Sequence, residues 1–147
     1  TTQQRIGKPD KLLFSFHGIP QSYICEDEPY QSQCLVTASL IAKKLNLQES
    51  QYEVAFQSRF GKAEWIKPYL SSRLQELPKE GIHNIHVFCP GFSSDCLETI
   101  DEIGRESKEE FFEHGGKSFE FIPCLNSEES FINALMDIQK KADVKIL

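Results

Sequence analysis

The 147-residue sequence has no apolar run approaching the roughly 20 residues that span a bilayer, and no secretory hydrophobic region follows its polar start, Thr1 to Asp10. An integral membrane segment and export are thereby set aside, and a cytoplasmic location is expected. Basic blocks are also missing: 16 Lys and Arg against 22 Asp and Glu leave a net charge of -6, the wrong sign for tracking a phosphate backbone. Nucleic acid is not an expected partner. The five cysteines (Cys25, Cys34, Cys89, Cys96, Cys124) are odd in number and contain no C-x-x-C pair, which argues against a disulfide framework or a zinc knuckle and for thiols in a reducing compartment. The phosphate-cradling G-x-G-x-x-G and G-x-x-x-x-G-K-[ST] loops are absent, as is the G-x-S-x-G elbow of many serine hydrolases. No initiator methionine is present, so a processed or excised chain is expected.

What is there suffices for one domain with a core: 39% of residues are hydrophobic and 26% charged. Short apolar runs at Lys11 to His17, Tyr52 to Gln57, Asn84 to Cys89 and Ser118 to Ile122 read as strands, each ended by Gly, Pro or polar residues. Helical spacing follows at Cys34 to Leu47, Trp65 to Leu77, Asp95 to Glu113 and Ser127 to Lys141, with a long loop expected over Gln21 to Gln33. Four strand-helix repeats imply right-handed crossovers, hence an α/β fold with a four-stranded parallel sheet covered by helices on both faces. Ligands of such sheets sit beyond the carboxyl ends of the strands, where strand order reverses.

The strand-end residues therefore carry the candidate chemistry. His17 ends the first strand before Gly18 and Pro20, where a neutral imidazole can bind a transition metal or accept a proton; the alternative is a structural histidine bonded to a backbone carbonyl. Glu98 lies three residues after Asp95, the spacing of a capping box, yet Glu98, Glu102 and Glu106 also form an i, i+4, i+8 carboxylate stripe. A solvated acidic face, with Asp101, Glu109 and Glu110 beside it, competes with a cation path. In the flavodoxin-like order 2-1-3-4, His17 and Glu98 meet across the switch point as a divalent-cation pair, with Cys96 a possible soft ligand. Phe16, Ile19, Tyr23, Tyr30, Phe60, Trp65 and Phe92 gather on the same edge and suit a flat apolar ligand, with Arg59 available to its carboxylates. His83 and His86 are spaced so as to point to opposite faces of a strand.

Five separated segments are similar to those of the ferrochelatases, which insert ferrous iron into a porphyrin. They are Ser15 to Gln21 (SFHGIPQ), Phe56 to Gly61 (FQSRFG) with Trp65, Cys89 to Ile100 (CPGFSSDCLETI), Gly115-Gly116, and Ile122 to Asn126 (IPCLN). The resemblance covers the C-terminal half of that family and implies His17 and Glu98 as the facing metal-handling pair. It further implies Glu102 and Glu106 as a proton or metal path, and Ile19, Pro20, Arg59, Trp65 and Phe92 as the porphyrin cleft. Residues 1–10 then correspond to the remnant of an inter-domain helix or linker, and residues 11–147 to the C-terminal chelatase domain, with the N-terminal domain of the same enzyme as the missing partner.

The substrates implied are a porphyrin and Fe²⁺, with no permanently bound cofactor. No cysteine follows Cys124, so no iron–sulfur cluster is expected, and the C-terminal residues carry no membrane helix, as in a bacterial form. Competing functions are a non-catalytic metal- or tetrapyrrole-binding module and a related chelatase for another metal, against which the F-H-G-I-P-Q and C-P-G-F-S-S-D-C-L-E-T segments argue.

Overall fold

A computed structural model describes residues 7–25 and 27–143. Its strands are β1 (Lys11–His17), β2 (Tyr52–Gln57), β3 (Asn84–Phe88) and β4 (Ser118–Ile122). All pair in parallel, in the order β2-β1-β3-β4. Three have the expected bounds, and β3 stops one residue early, just before Pro90, which has no N–H to give a ladder. Central β1 is buried from Leu12 to Phe16, as a parallel strand covered on both faces must be.

Alternating side chains of β1 divide the core. Leu13 faces Leu70, Leu74, Leu77, Ile103 and Phe111 on one side of the sheet. Leu12, Phe14 and Phe16 face the other, packed by helix α1 (Tyr30–Lys44). Cys34, Ala38 and Ala42, at i, i+4 and i+8, give α1 a stripe of small residues with which to approach the sheet. The opposite face is covered by α2 (Leu70–Glu76) and by a composite helix made of α3 (Leu97–Ile100), a π-helical segment (Glu102–Ser107) and α4 (Lys108–Glu113). Helix α5 (Glu129–Asp143) follows β4.

Four expectations need correction. The loop expected to reach Gln33 ends at Pro29: the Glu28 carboxylate accepts the Tyr30 N–H at 3.0 Å, and α1 starts there rather than at Cys34. It ends at Lys44 rather than Leu47, and Asn46 turns the chain with a φ of 55°. Trp65 does not open a helix, because Pro68 bars its predecessor from helical geometry, and α2 begins only at Leu70. Residues 64–66 instead run beside the β1 exit, with a Pro20–Trp65 bridge and the Ile66 N–H donating to the Ile19 carbonyl at 3.0 Å.

The single helix expected from Asp95 to Glu113 is interrupted. The Glu106 N–H donates to the Asp101 carbonyl, five residues back, which is the π-type bond that widens a turn.

The linker expectation falls largely on residues 1–6, outside the described residues. Gly7 to Pro9 have no regular structure, and the Asp10 carboxylate accepts the His83 and Asn84 N–H groups at 3.0 and 2.9 Å. Among the described residues, no helix is long and apolar enough to cross a membrane.

Phe111 is fully buried and packs against Phe119 with ring centroids 6.1 Å apart and planes tilted by 55°. Phe111→Ala is expected to cost about 3–5 kcal/mol in urea unfolding, since the sheet and two helices cannot all close on the vacated volume. A change below 1 kcal/mol would contradict this placement of the core.

Candidate functional site

His17 ends β1 with its ring 6.2 Å from that of Trp65 and 6.5 Å from that of Phe92. Its Nδ1 lies 2.6 Å from the Gly18 carbonyl. A carbonyl only accepts, so Nδ1 is the donor of this bond and Nε2 takes no part in it. The structural role considered for this histidine is thus met by one nitrogen while the other stays available. Tyr30 steadies the residue from below, its hydroxyl donating to the His17 carbonyl at 2.7 Å; burial, then the neighbouring Cys34, pushes that phenol up to about 12. Gly18 is required by close approach: a Cβ there would lie 3.0 Å from both the Gln57 carbonyl and the Trp65 ring.

Gln57, 3% exposed, closes β2. Its carbonyl oxygen Oε1 accepts the Ser15 hydroxyl at 2.7 Å and the Cys89 thiol at 3.4 Å, while Nε2 donates to the Glu98 backbone carbonyl at 2.8 Å. Ser58 follows in the left-handed region with a φ of 64°. The Glu102 carboxylate accepts both its N–H and its hydroxyl, each at 2.6 Å. These bonds offset the strain of a non-glycine residue there and anchor the π-helical segment to β2. Sequence reading marked this strand end without giving Gln57 or Ser58 a role; the signal was an amide ending an otherwise apolar strand.

Glu98 is not the cap its spacing suggested. Thr99 makes the capping box with Cys96, its hydroxyl accepting the Cys96 N–H at 2.9 Å, which leaves the Glu98 side chain outside the cap. The Cys96 thiol, the Glu98 backbone N–H and the charge of His17 together hold the Glu98 carboxyl below the usual carboxylate range. Cys96 therefore acts as helix cap and hydrogen-bond donor.

Glu98, Glu102 and Glu106 all line one open cleft of about 430 Å³, with Ser58, Arg59 and Phe60 opposite. Glu102 and Glu106 also line a neighbouring cavity of about 280 Å³ that reaches Glu110. The acidic line therefore exists, but its members differ: Glu102 is tied to Ser58, and Glu106 pairs with Arg105 at 3.0 Å. Arg59 stacks its guanidinium 4.6 Å from the Tyr69 ring centre while lining both spaces.

Of the expected cleft residues, Trp65 is buried between His17 and Phe60, and Phe92 lies between His17 and the core. Pro20 is bridged to Trp65, and Ile19 packs into the α1-side core. Phe16 is core rather than cleft, and Tyr23 is exposed. Elsewhere, His83 bonds the Gly115 carbonyl through Nδ1 at 2.9 Å and His86 is buried, its imidazole kept below its usual range by burial. Burial also raises the thiols of Cys89 and Cys124, the latter to about 12, so neither is a ready thiolate.

Comparison with known proteins bears on this constellation. The family model described as Ferrochelatase matches residues 1–143. The chain belongs to the ferrochelatase family. It is 52% identical over 132 residues to the ferrochelatases of Janthinobacterium sp. (strain Marseille) and Herminiimonas arsenicoxydans, and 48% identical to that of Idiomarina loihiensis. Each alignment covers 90% of this chain but 36% of the relative, so the chain spans about a third of the ferrochelatases it matches. The fold is also that of a CbiX protein described under cobalamin (vitamin B12) biosynthesis from Marinobacter aquaeolei VT8. That match has a TM-score of 0.61 at 13% identity and covers 93% of this chain and 99% of that one.

Asp95, at the rim of this ferrochelatase-family site, yields a pH prediction. Burial pulls its carboxyl upward, but bonds from the Asn126 amide, the Cys124 N–H and thiol and the Thr99 hydroxyl outweigh this and leave it below its ordinary value. A carboxyl lowered by folding stabilises the native state above its unfolded value of about 3.9, and that contribution is lost as pH falls through the native value. Urea unfolding below about pH 4 should therefore show a steeper loss of stability for the wild type than for Asp95→Asn. Parallel curves would rule out Asp95 as a contributor.

Proposed function

We propose that this chain is the metal-handling part of a ferrochelatase, and that the complete enzyme inserts Fe²⁺ into protoporphyrin IX in the last step of haem formation. The observation that carries this reading is His17 at the end of β1, with Nδ1 bonded to Gly18 and Nε2 outside that bond, together with the cleft lined by Glu98, Glu102 and Glu106. Fe²⁺ and porphyrin are substrates, and no resident cofactor or iron–sulfur cluster is part of the proposal. The five free thiols fit a cytoplasmic setting.

Metallation replaces two pyrrole N–H protons by one divalent ion, so the enzyme must remove two protons while it desolvates a cation. His17 Nε2 is suited to take a proton from the macrocycle or hold the metal as it arrives, and either use needs that nitrogen unprotonated while Gly18 orients the ring through Nδ1. Glu98, ionised at neutral pH, stabilises the imidazolium or the incoming Fe²⁺, and Glu102 and Glu106 continue the negative line away from it. Trp65, Phe92 and Pro20 pack around the strand end that carries His17, while Arg59 and Phe60 line the cleft beside the carboxylates, where Arg59 suits a propionate.

Phe60 and Leu97, each 74% exposed, present apolar surface at the rim. A porphyrin pocket needs a second wall here, which the N-terminal domain of the complete enzyme is proposed to supply. The binding-module reading applies to the chain on its own, where the cleft is open on one side.

Anaerobic insertion of Fe²⁺ or Zn²⁺ into protoporphyrin IX, followed by absorbance, tests the proposal on this chain and on the chain joined to its upstream domain. The joined protein should turn over, and His17→Ala should reduce kcat by about 10²-fold or more with an unchanged circular dichroism spectrum. Near wild-type turnover of His17→Ala would overturn the role given to it. Metal binding without metallation by either protein would favour the binding-module reading.

A further inference from the structure

The IPCLN segment has no part in the chemistry above, yet its asparagine both donates to and accepts from Asp95. Asn126 follows β4 and precedes α5, 28 residues along the chain from Glu98. Its Nδ2 donates to Asp95 Oδ2 at 2.7 Å, and its Oδ1 accepts the Asp95 N–H at 2.8 Å. The same amide nitrogen reaches the Cys124 carbonyl at 3.1 Å, and the Asn126 N–H donates to the Ser93 carbonyl at 2.9 Å. Asp95 completes the join by accepting the Cys124 N–H at 3.0 Å and the Thr99 hydroxyl at 3.3 Å. Every strong donor and acceptor of the Asn126 side chain is thus used between two loops that lie at neighbouring strand ends.

The consequence concerns the turn that presents Glu98. Asp95 stands immediately before Cys96 and Thr99, whose capping box opens α3, and Thr99 is fully buried. On the other side, the Glu98 carbonyl is held by Gln57. A four-residue helix carries little stability of its own, so its direction is set by what holds its two sides. We infer that Asn126 is a positioning residue for Glu98: together with Asp95 it forms a two-way staple that fixes the Cys96–Thr99 turn and so the place of the Glu98 side chain relative to His17. This rests on the function proposed above.

Asn126 also occupies the left-handed region, with a φ of 49°, where asparagine and glycine are the readily tolerated residues. That allows the backbone requirement to be separated from the staple. Asn126→Gly keeps the turn and deletes all three side-chain bonds. Asn126→Asp keeps the shape but sets a second carboxylate against Asp95, whereas Asp95→Asn combined with Asn126→Asp restores an amide facing a carboxylate with the direction reversed.

In the complete enzyme, assayed with Zn²⁺ and protoporphyrin IX well below the melting temperature, N126G and N126D are expected to lose roughly 10- to 100-fold in kcat with the porphyrin KM unchanged, the range typical of removing a group that orients a metal ligand. The double swap should regain part of that loss, since a carboxylate at position 126 restores the pairing across the two loops but cannot donate to the Cys124 carbonyl. Wild-type kcat in N126G, or a swap that regains melting temperature without regaining kcat, would overturn the inference. Should N126G fail to fold, N126D and the swap decide by the same two criteria.

If the joined protein metallates no porphyrin, the proposed function fails first, and the staple is then judged on this chain by amide hydrogen exchange. Faster exchange at the Thr99 and Ile100 amides in N126G with unchanged exchange in β1 supports it; unchanged exchange at both sites overturns it.

Discussion

The Gln57 side chain sits where β1, β2 and β3 run out, and its two ends face different partners. Oε1 accepts from Ser15 and Cys89, so it belongs to the sheet; Nε2 donates to the Glu98 carbonyl, so it belongs to the acidic helix. A buried amide left without those partners would carry a desolvation penalty of about 1–3 kcal/mol, which gives the arrangement one low-energy geometry. The sheet end and the helix that carries the carboxylates are therefore held in a fixed relation, and the cleft between them inherits it.

Around that junction the chain uses short polar contacts where a longer helix would have relied on its own ladder. Glu102 grips Ser58 by both backbone and hydroxyl, the π-helical segment widens the turn between Glu102 and Glu106, and Arg105 neutralises part of the exposed acidic surface through Asp101 and Glu106. Like charges at successive turns would repel in a regular helix. Here Glu102 is satisfied by neutral donors and Glu106 by a guanidinium, so the stripe persists without relying on a bound cation for its existence.

The apolar side of the site follows from a different constraint. Pro68 delays α2, which leaves residues 64–66 extended beside the β1 exit, and Gly18 leaves the space that the Trp65 ring fills. Trp65 and Phe92 thus pack around His17 from two separate connections. A rim with Phe60 and Leu97 facing outward is what a cleft with only one wall would present, in agreement with a chain that covers about a third of its relatives.

The sequence alone determined the parallel sheet and its order, since four apolar runs alternating with helical patterns admit few topologies and right-handed crossovers remove most of those. It also marked His17, Glu98 and the acidic line as candidates, because strand-end position and family-like segments are properties of the chain itself. It misplaced the starts of α1 and α2 and left a cap open as an alternative for Glu98, since Pro29, Pro68 and the Thr99 hydroxyl act through local geometry that competes with spacing. Only the tertiary structure decided which partner each polar group takes: Nδ1 of His17 with Gly18, Glu102 with Ser58, Asn126 with Asp95. Hydrogen bonds between residues 31 or 44 positions apart depend on where loops meet in space, and no periodicity along a chain encodes that distance.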